Sequence, residues 1–325
     1  MDTGSPRLLL VVHERPGMRQ AVRARLPGVP FAFLGELGRD NGEAVEAVLL
    51  GSIHREARTW EPSAHPHLRF VQRIFAGVDD VPFHRLPPQV EVAGNVGGYS
   101  PFVAEHALAL TLAAARCVLA GHAAVASGRA RPPPELRALW RETAVVLGFG
   151  AIGHAIAERL RPFEVRVLGL NRDGAPSEGA DEVWPAGRLR EALGQGRYVF
   201  DTRPLTRLTR GSLGAGEFAA MLEDATFVNV GRAGTVDEEA LYRHLVSHPR
   251  FRAGLDVWWD EDLAHATVAA RFPFTALPNF VGSPHWAGFS PHVEEYALAT
   301  ALENLARFFA GEPPEHRVDR SEYFD

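Results

Sequence analysis

Gly148-Phe149-Gly150-Ala151-Ile152-Gly153 places three glycines at a spacing that can do chemistry. The apolar run TAVVL leads directly into them, and a helical pattern, HAIAERL, follows. Gly148 suits a tight turn, Gly150 lets backbone approach a pyrophosphate, and Gly153 permits close helix–strand packing. The helix start offers unpaired N–H groups and the positive end of its dipole to phosphate oxygens. A lone GxGxxG carries little weight, and a glycine-rich structural turn would account for it. Here the strand before it, the helix after it and a second strand at the right distance make a dinucleotide site the better reading.

That second strand, predicted over 165–170, runs into Asn171-Arg172-Asp173. An acidic residue at this strand end would accept a hydrogen bond from a ribose 2′-hydroxyl. A neutral Asn171 followed by the cation Arg172 is the pattern expected where a 2′-phosphate must be accommodated. NADP(H) is therefore the expected cofactor, with NAD(H) possible. Asp173 keeps open the alternative that a carboxylate serves the ribose while Arg172 is an ordinary surface cation.

The elements that must position these groups read as α/β. Apolar runs alternate with helical patterns, which predicts parallel strands joined by crossover helices. Strands are expected over 8–12, 47–51 and 70–75, with a helix over 18–26. A long apolar helix follows over 101–120, with Ser100 as its N-cap. A loop is expected over 127–134, where three prolines stand together. A second series of strands is expected over 143–147, 165–170, 198–202, 226–230, 252–257 and 279–283, closed by an amphipathic helix over 293–309.

Bulk composition excludes several classes. At 325 residues with 46% hydrophobic and 23% charged content, the chain has the make-up of an ordinary globular protein of about two domains. A net charge of −6 gives no footprint for nucleic acid. All 34 basic residues are arginine, so no lysine can act as an amine or a phosphate anchor. The single cysteine, Cys117, lies in an apolar run and reads as a core residue, compatible with a reducing cytoplasm. The apolar run over 8–12 meets His13 and Glu14, too short for a membrane span or signal peptide.

Three later segments occur in a telling order: FVNVGRAGTVDEEAL from Phe227, AGLDVWWDEDL from Ala253 and LPNFVGSPHWAG from Leu277. With AGVD from Ala76, VAEHALAL from Val103, PLTRLTRG from Pro204 and the tail NLARFFAGEPP, the set resembles the D-2-hydroxyacid dehydrogenase family, glyoxylate/hydroxypyruvate reductases included, over nearly the whole chain. The resemblance implies two doubly wound Rossmann-like domains with parallel sheets and an interdomain cleft. Residues 1–94 plus 288–325 would bind substrate and 95–287 the dinucleotide.

The family's catalytic residues map onto Arg232, Glu261 and His285. In reduction of a small 2-keto acid, hydride reaches the keto carbon and the growing alkoxide needs a proton. An imidazole suits that role because it titrates near neutral pH. Glu261 would orient His285 and steady its charged form. Arg232 would grip the substrate carboxylate with its planar fork. Glu261 is selected over Asp260 and Asp262 by its spacing from Asp256.

Further cofactor contacts are implied for Val103, Ala151, Ile152, Thr202, Arg203, Pro204, Val230 and Gly231. Asp256 corresponds to the family residue that holds the nicotinamide carboxamide, a turn cap being the alternative. Ala76, Gly77 and Val78 would offer backbone N–H groups to the substrate carboxylate, with Ser52, Ile53 and Tyr99 as further pocket candidates. A homodimer is implied by resemblance alone. Departures are Ala233 after the arginine, Glu164 where a turn glycine is common, Trp140 before the Rossmann strand, and an unusual stretch over 264–275. Rival readings are phosphite oxidation, weakened by Ala76 in place of a lysine, and formate oxidation, weakened by Glu261 in place of a glutamine. A dinucleotide-sensing corepressor on the same fold would not require the Arg, Glu and His.

Overall fold

The computed structural model describes residues 5–37, 42–52, 57, 59–129, 135–262, 265 and 267–323. The chain divides into two compact units, Met1–Tyr99 with Ser290–Asp325, and Ser100–Phe289.

The first unit holds β1 (Leu8–Val11), α1 (Met18–Arg25), β2 (Phe31–Phe33), β3 (Ala47–Leu50), β4 (Phe70–Arg73) and β5 (Glu91–Ala93). They form one parallel sheet in the order β2-β1-β3-β4-β5. Side chains alternate across a strand, so β1 serves two cores. Leu8 and Leu10 pack with Met18 and Val22 of α1 and with Ala301, Leu302 and Leu305 from the end of the chain. Leu9 and Val11 face Val48, Trp60, Val71 and Phe83. Cover on both faces is why the strand reads as an unbroken apolar run.

The second unit begins with α2 (Ser100–Ala115) and α3 (Val118–Ala126). It continues through β6 (Thr143–Leu147), α4 (Ala151–Leu160), β7 (Arg166–Asn171), β8 (Glu182–Pro185), α5 (Leu189–Leu193), β9 (Tyr198–Asp201) and α6 (Ala215–Ala220). β10 (Thr226–Asn229), α7 (Glu238–Ser247), β11 (Arg252–Leu255), β12 (Asp260–Asp262), β13 (Thr267–Ala269) and β14 (Phe280–Gly282) complete it. Seven strands make a parallel sheet, β14-β11-β10-β9-β6-β7-β8. Strand order reverses at β6, and the carboxyl ends of strands at such a switch are where open α/β sheets bind ligands. The final helix, α8 (Val293–Phe309), lies in the first unit.

The structure corrects the expected long helix. It breaks at Cys117, which takes a left-handed conformation with φ of 50°, and the two halves bend by 57°. α2 buries Val103, Ala104, Ala107, Leu110 and Ala114, whereas α3 buries no residue. Apolar periodicity continues past the point where the packing partner ends, so the sequence does not show the break. Cys117 is half-buried at this corner and not a core residue. Ser100 is the first helical residue, not a residue outside it. Of the expected loop over 127–134, only 127–129 lie within the described residues.

Short strands β2, β5 and β8 lie outside the expected runs: β2, FAF, is apolar but only three residues long, and β5 and β8 each begin with a glutamate. The stretch over 264–275 carries β13, which pairs antiparallel with β12, and sends Phe274 into the core. Two departures explain each other. Glu164 adopts the left-handed conformation a glycine would, φ of 53°, and its carboxylate accepts from Trp140 Nε1 at 3.1 Å and Arg141 Nε at 2.8 Å.

Candidate active site

The Gly148 turn follows β6 and has φ of 82°. A Cβ there would come within 2.8 Å of Arg203 Cγ, and one on Gly153 within 3.0 Å of Val146 Cγ1. One on Gly150 would meet nothing within 4 Å. Two glycines thus serve packing and the third borders open space at the start of α4, where Ala151 and Ile152 follow. These features fit a dinucleotide pyrophosphate. Thr202 closes the turn from below, its hydroxyl donating to Gly148 O at 2.7 Å or Leu147 O at 3.1 Å.

At the end of β7 the Asn171 amide builds its own turn, donating to Ala175 O at 2.8 Å and accepting from Gly174 N at 2.6 Å. Asp173 accepts from Ala175 N at 3.1 Å. Arg172 is exposed beside them. Arg203 is held at Asp201 by two 2.8 Å bonds, from Nε and Nη2, so its guanidinium is already engaged. Pro204 is exposed, Val230 and Gly231 are buried, and Val103 is buried on α2.

Arg232 follows β10 in extended backbone and donates from Nη1 to Gly231 O at 2.9 Å. Glu261 lies on β12, and its Oε2 is 2.9 Å from His285 Nδ1. Its Oε1 accepts the backbone N–H of Trp258 at 2.6 Å. Both side chains are partly covered, with 27% of His285 and 17% of Glu261 exposed. His285 has φ of 58°, a conformation that costs a non-glycine residue about 1–3 kcal/mol and persists only when its surroundings fix it.

Asp256 fixes it. Its carbonyl accepts the His285 N–H at 2.8 Å. Its carboxylate accepts from Ser283 Oγ at 2.6 Å, Trp286 N at 2.8 Å and Ala287 N at 2.9 Å. His106 Nε2 lies 2.7 Å from Ser283 Oγ and 3.3 Å from Asp256 Oδ1. Burial alone pushes the Asp256 carboxyl up, but the bonds from His106, Ser283 and the Ala287 and Trp286 N–H groups outweigh it and hold it below the usual range. Asp256 is fully buried, with both oxygens engaged inside the turn. Sequence reasoning missed His106 and Ser283 as members of this cluster, although both stand inside motifs already singled out, VAEHALAL and SPHWAG.

The remaining candidates lie in the first unit. Gly77 and Ala76 are half-buried and Val78 is buried. Buried Arg73 donates to the Gly51 carbonyl and to both Asp80 oxygens, at 2.8 and 3.0 Å, tying the loop ends after β3 and β4. Ser52 is half-buried, and Ile53 lies outside the described residues. Tyr99 packs at 6.0 Å from the Phe75 ring, and burial pushes its phenol up to about 12 against the nearby charges of Arg15 and Arg73.

The profile described as D-isomer specific 2-hydroxyacid dehydrogenase, NAD binding domain, matches residues 108–287. The chain belongs to this family. It is an oxidoreductase that binds a nicotinamide dinucleotide. The dehydrogenase is 29% identical to human glyoxylate reductase/hydroxypyruvate reductase over 291 residues, 86% of this chain and 85% of that one. It is also similar to the NADPH-dependent glyoxylate/hydroxypyruvate reductase of Sinorhizobium meliloti, solved with NADP and sulfate. That match has a TM-score of 0.78 at 26% identity, covering 99% of this chain and 100% of that chain. A D-isomer specific 2-hydroxyacid dehydrogenase of Xanthobacter autotrophicus Py2, solved with NADPH and MES, gives a TM-score of 0.78 at 28% identity, covering 97% and 98%.

Proposed function

We propose that the dehydrogenase reduces a small, unphosphorylated 2-keto acid of the glyoxylate or hydroxypyruvate kind, with NADPH preferred. The observation that carries this is the His285–Glu261 pair at 2.9 Å. The dinucleotide, when bound, supplies the hydride. Glu261 holds the Nδ1 side of the ring, which leaves Nε2 to deliver a proton to the oxygen of the reduced carbonyl. Arg232 binds the substrate carboxylate and polarises the carbonyl. A substrate-binding role for the backbone N–H groups of Ala76, Gly77 and Val78, with Ser52 and Tyr99, rests on the family resemblance of the AGVD loop.

The absence of a phosphate on the substrate is supported by Arg73, the buried cation next to the Gly77 loop, whose fork is engaged by Asp80. NADPH preference is supported by Asn171 and Asp173, each with an oxygen engaged by turn N–H groups beside Arg172. The protein acts as a cytoplasmic homodimer, with α3 as part of the dimer contact. Val118, Leu119 and Val125 of that helix are 53%, 57% and 77% exposed, an apolar surface suited to a second copy.

A panel of 2-keto acids assayed with NADPH and NADH tests this reading. Glyoxylate or hydroxypyruvate with NADPH should give the highest kcat/KM. Branched or aromatic keto acids outperforming both would overturn the substrate assignment. Lack of turnover with every keto acid would favour the corepressor reading.

A further inference from the structure

Asp201 ends β9 with a fully buried carboxylate. An isolated buried carboxylate is costly, and this one is stabilised by four donors. Arg203 supplies its backbone N–H at 3.1 Å, Nε at 2.8 Å and Nη2 at 2.8 Å, and Thr235 supplies its hydroxyl at 2.8 Å. The Arg203 fork is completed by Ser212 Oγ at 3.0 Å from Nη1.

Each partner leads to a different part of the site. Arg203 leads to the Gly148 turn, since its Cγ fills the place a Cβ on Gly148 would need. Thr235 leads to Arg232, because its single hydroxyl proton is shared between Asp201 Oδ2 and the Arg232 carbonyl, each 2.8 Å away. The Asp201 carbonyl accepts the N–H groups of Val230 and Gly231, both at 3.1 Å, and so holds the start of the same turn. Asn229 completes it, with Nδ2 donating to Arg232 O at 3.1 Å and Oδ1 accepting from Gly231 N at 2.9 Å.

We propose that Asp201 is a positioning residue that sets the Gly148 turn through Arg203 and the Arg232 turn through Thr235. One buried carboxylate thereby ties the phosphate loop of the dinucleotide site to the grip on the substrate carboxylate. The kinetic part of this inference rests on the reading of Arg232 as that grip. Arg203 then contributes as a wedge neutralised by Asp201, and not as a direct phosphate ligand.

The experiment compares Thr235→Val, Thr235→Ser, Asp201→Asn and Arg232→Ala in the full-length enzyme. It reads keto-acid KM, kcat, dinucleotide Kd by fluorescence titration, and hydrogen exchange of the segment over 229–236. Thr235→Val replaces the hydroxyl with a methyl group of similar size and so removes the donor. It should speed exchange in that segment and raise keto-acid KM about tenfold, the size of one hydrogen bond to a charged group, while dinucleotide Kd stays unchanged. Thr235→Ser should restore both. Asp201→Asn should weaken dinucleotide and keto acid together, because it loosens both ends. Unaltered exchange in Thr235→Val overturns the proposal. So does a parallel loss of kcat, KM and Kd in Thr235→Val that serine does not rescue. Faster exchange with unaltered KM in both Thr235→Val and Arg232→Ala would support the positioning role and remove the carboxylate role of Arg232.

Discussion

His285 Nδ1 lies 2.9 Å from Glu261 Oε2, while the other oxygen of that carboxylate holds the backbone N–H of Trp258. Glu261 is therefore oriented from one side and orients the imidazole on the other. A ring fixed in this way can present its second nitrogen in one direction without reorganising at the moment of proton transfer.

Replacing His285 with alanine should lower turnover by the ~10²–10⁴-fold typical of a lost general acid. Dinucleotide affinity should survive, because the Gly148 turn is built without His285. Glu261→Gln should reduce turnover less, since an amide oxygen can still accept from the ring. Steady-state kinetics beside a binding titration check both; near-normal turnover in His285→Ala would falsify the assignment.

Arg172→Ala should raise the KM for NADPH about ten- to a hundredfold and leave that for NADH nearly unchanged. A hydrogen bond to a charged group contributes about 1.5–3 kcal/mol, which is that factor. An enzyme that already favours NADH, with a cofactor ratio indifferent to Arg172→Ala, would point to Asp173 as the ribose contact instead.

Two glycines of one motif should respond differently. Gly150→Ala adds a methyl where nothing lies within 4 Å, so the melting temperature should hold while dinucleotide affinity falls at least about tenfold. Gly148→Ala must place a Cβ at φ of 82° and 2.8 Å from Arg203 Cγ, so it should lower the melting temperature itself. Thermal melts with and without NADPH separate the two outcomes.

His244 gives the dehydrogenase an acid-sensitive spot. Its ring stacks on His248 at 4.0 Å and meets Phe251 edge-on at 4.5 Å. Burial, then the charge of His248, pulls its pKa from 6.5 down to about 4. The unfolded chain therefore binds a proton that the fold refuses, so stability is full above pH 6.5 and falls as pH drops toward 4. After allowance for solvent screening of a half-buried ring, the loss is about 1–2 kcal/mol. His244→Phe should flatten the decline in melting temperature over that range; an unchanged slope would rule His244 out.

Leu119→Asp puts a charge on the exposed apolar face of α3. Light scattering should show a dimer for the wild type and a monomer for the variant. A monomeric wild type would refute the proposed assembly.

Much of this enzyme was determined by sequence alone. The Gly148–Gly153 spacing between a β-type run and a helical one specified a dinucleotide turn, because glycine adopts a left-handed backbone at no steric cost and permits the close approach that the turn needs. The period of the apolar pattern specified α8 to the residue and most strands to within two, since burial on both faces leaves a continuous apolar run. The three-residue strands β2 and β5 were too short to leave any period. Tertiary structure alone decided where the long apolar helix breaks, because hydrophobicity does not report where the partner surface stops. It alone decided that Asp256 is engaged within the His285 turn and that Arg203 is neutralised by Asp201. Those pairings are through-space bonds whose strength depends on burial and distance, and neither is encoded in the spacing of residues along the chain.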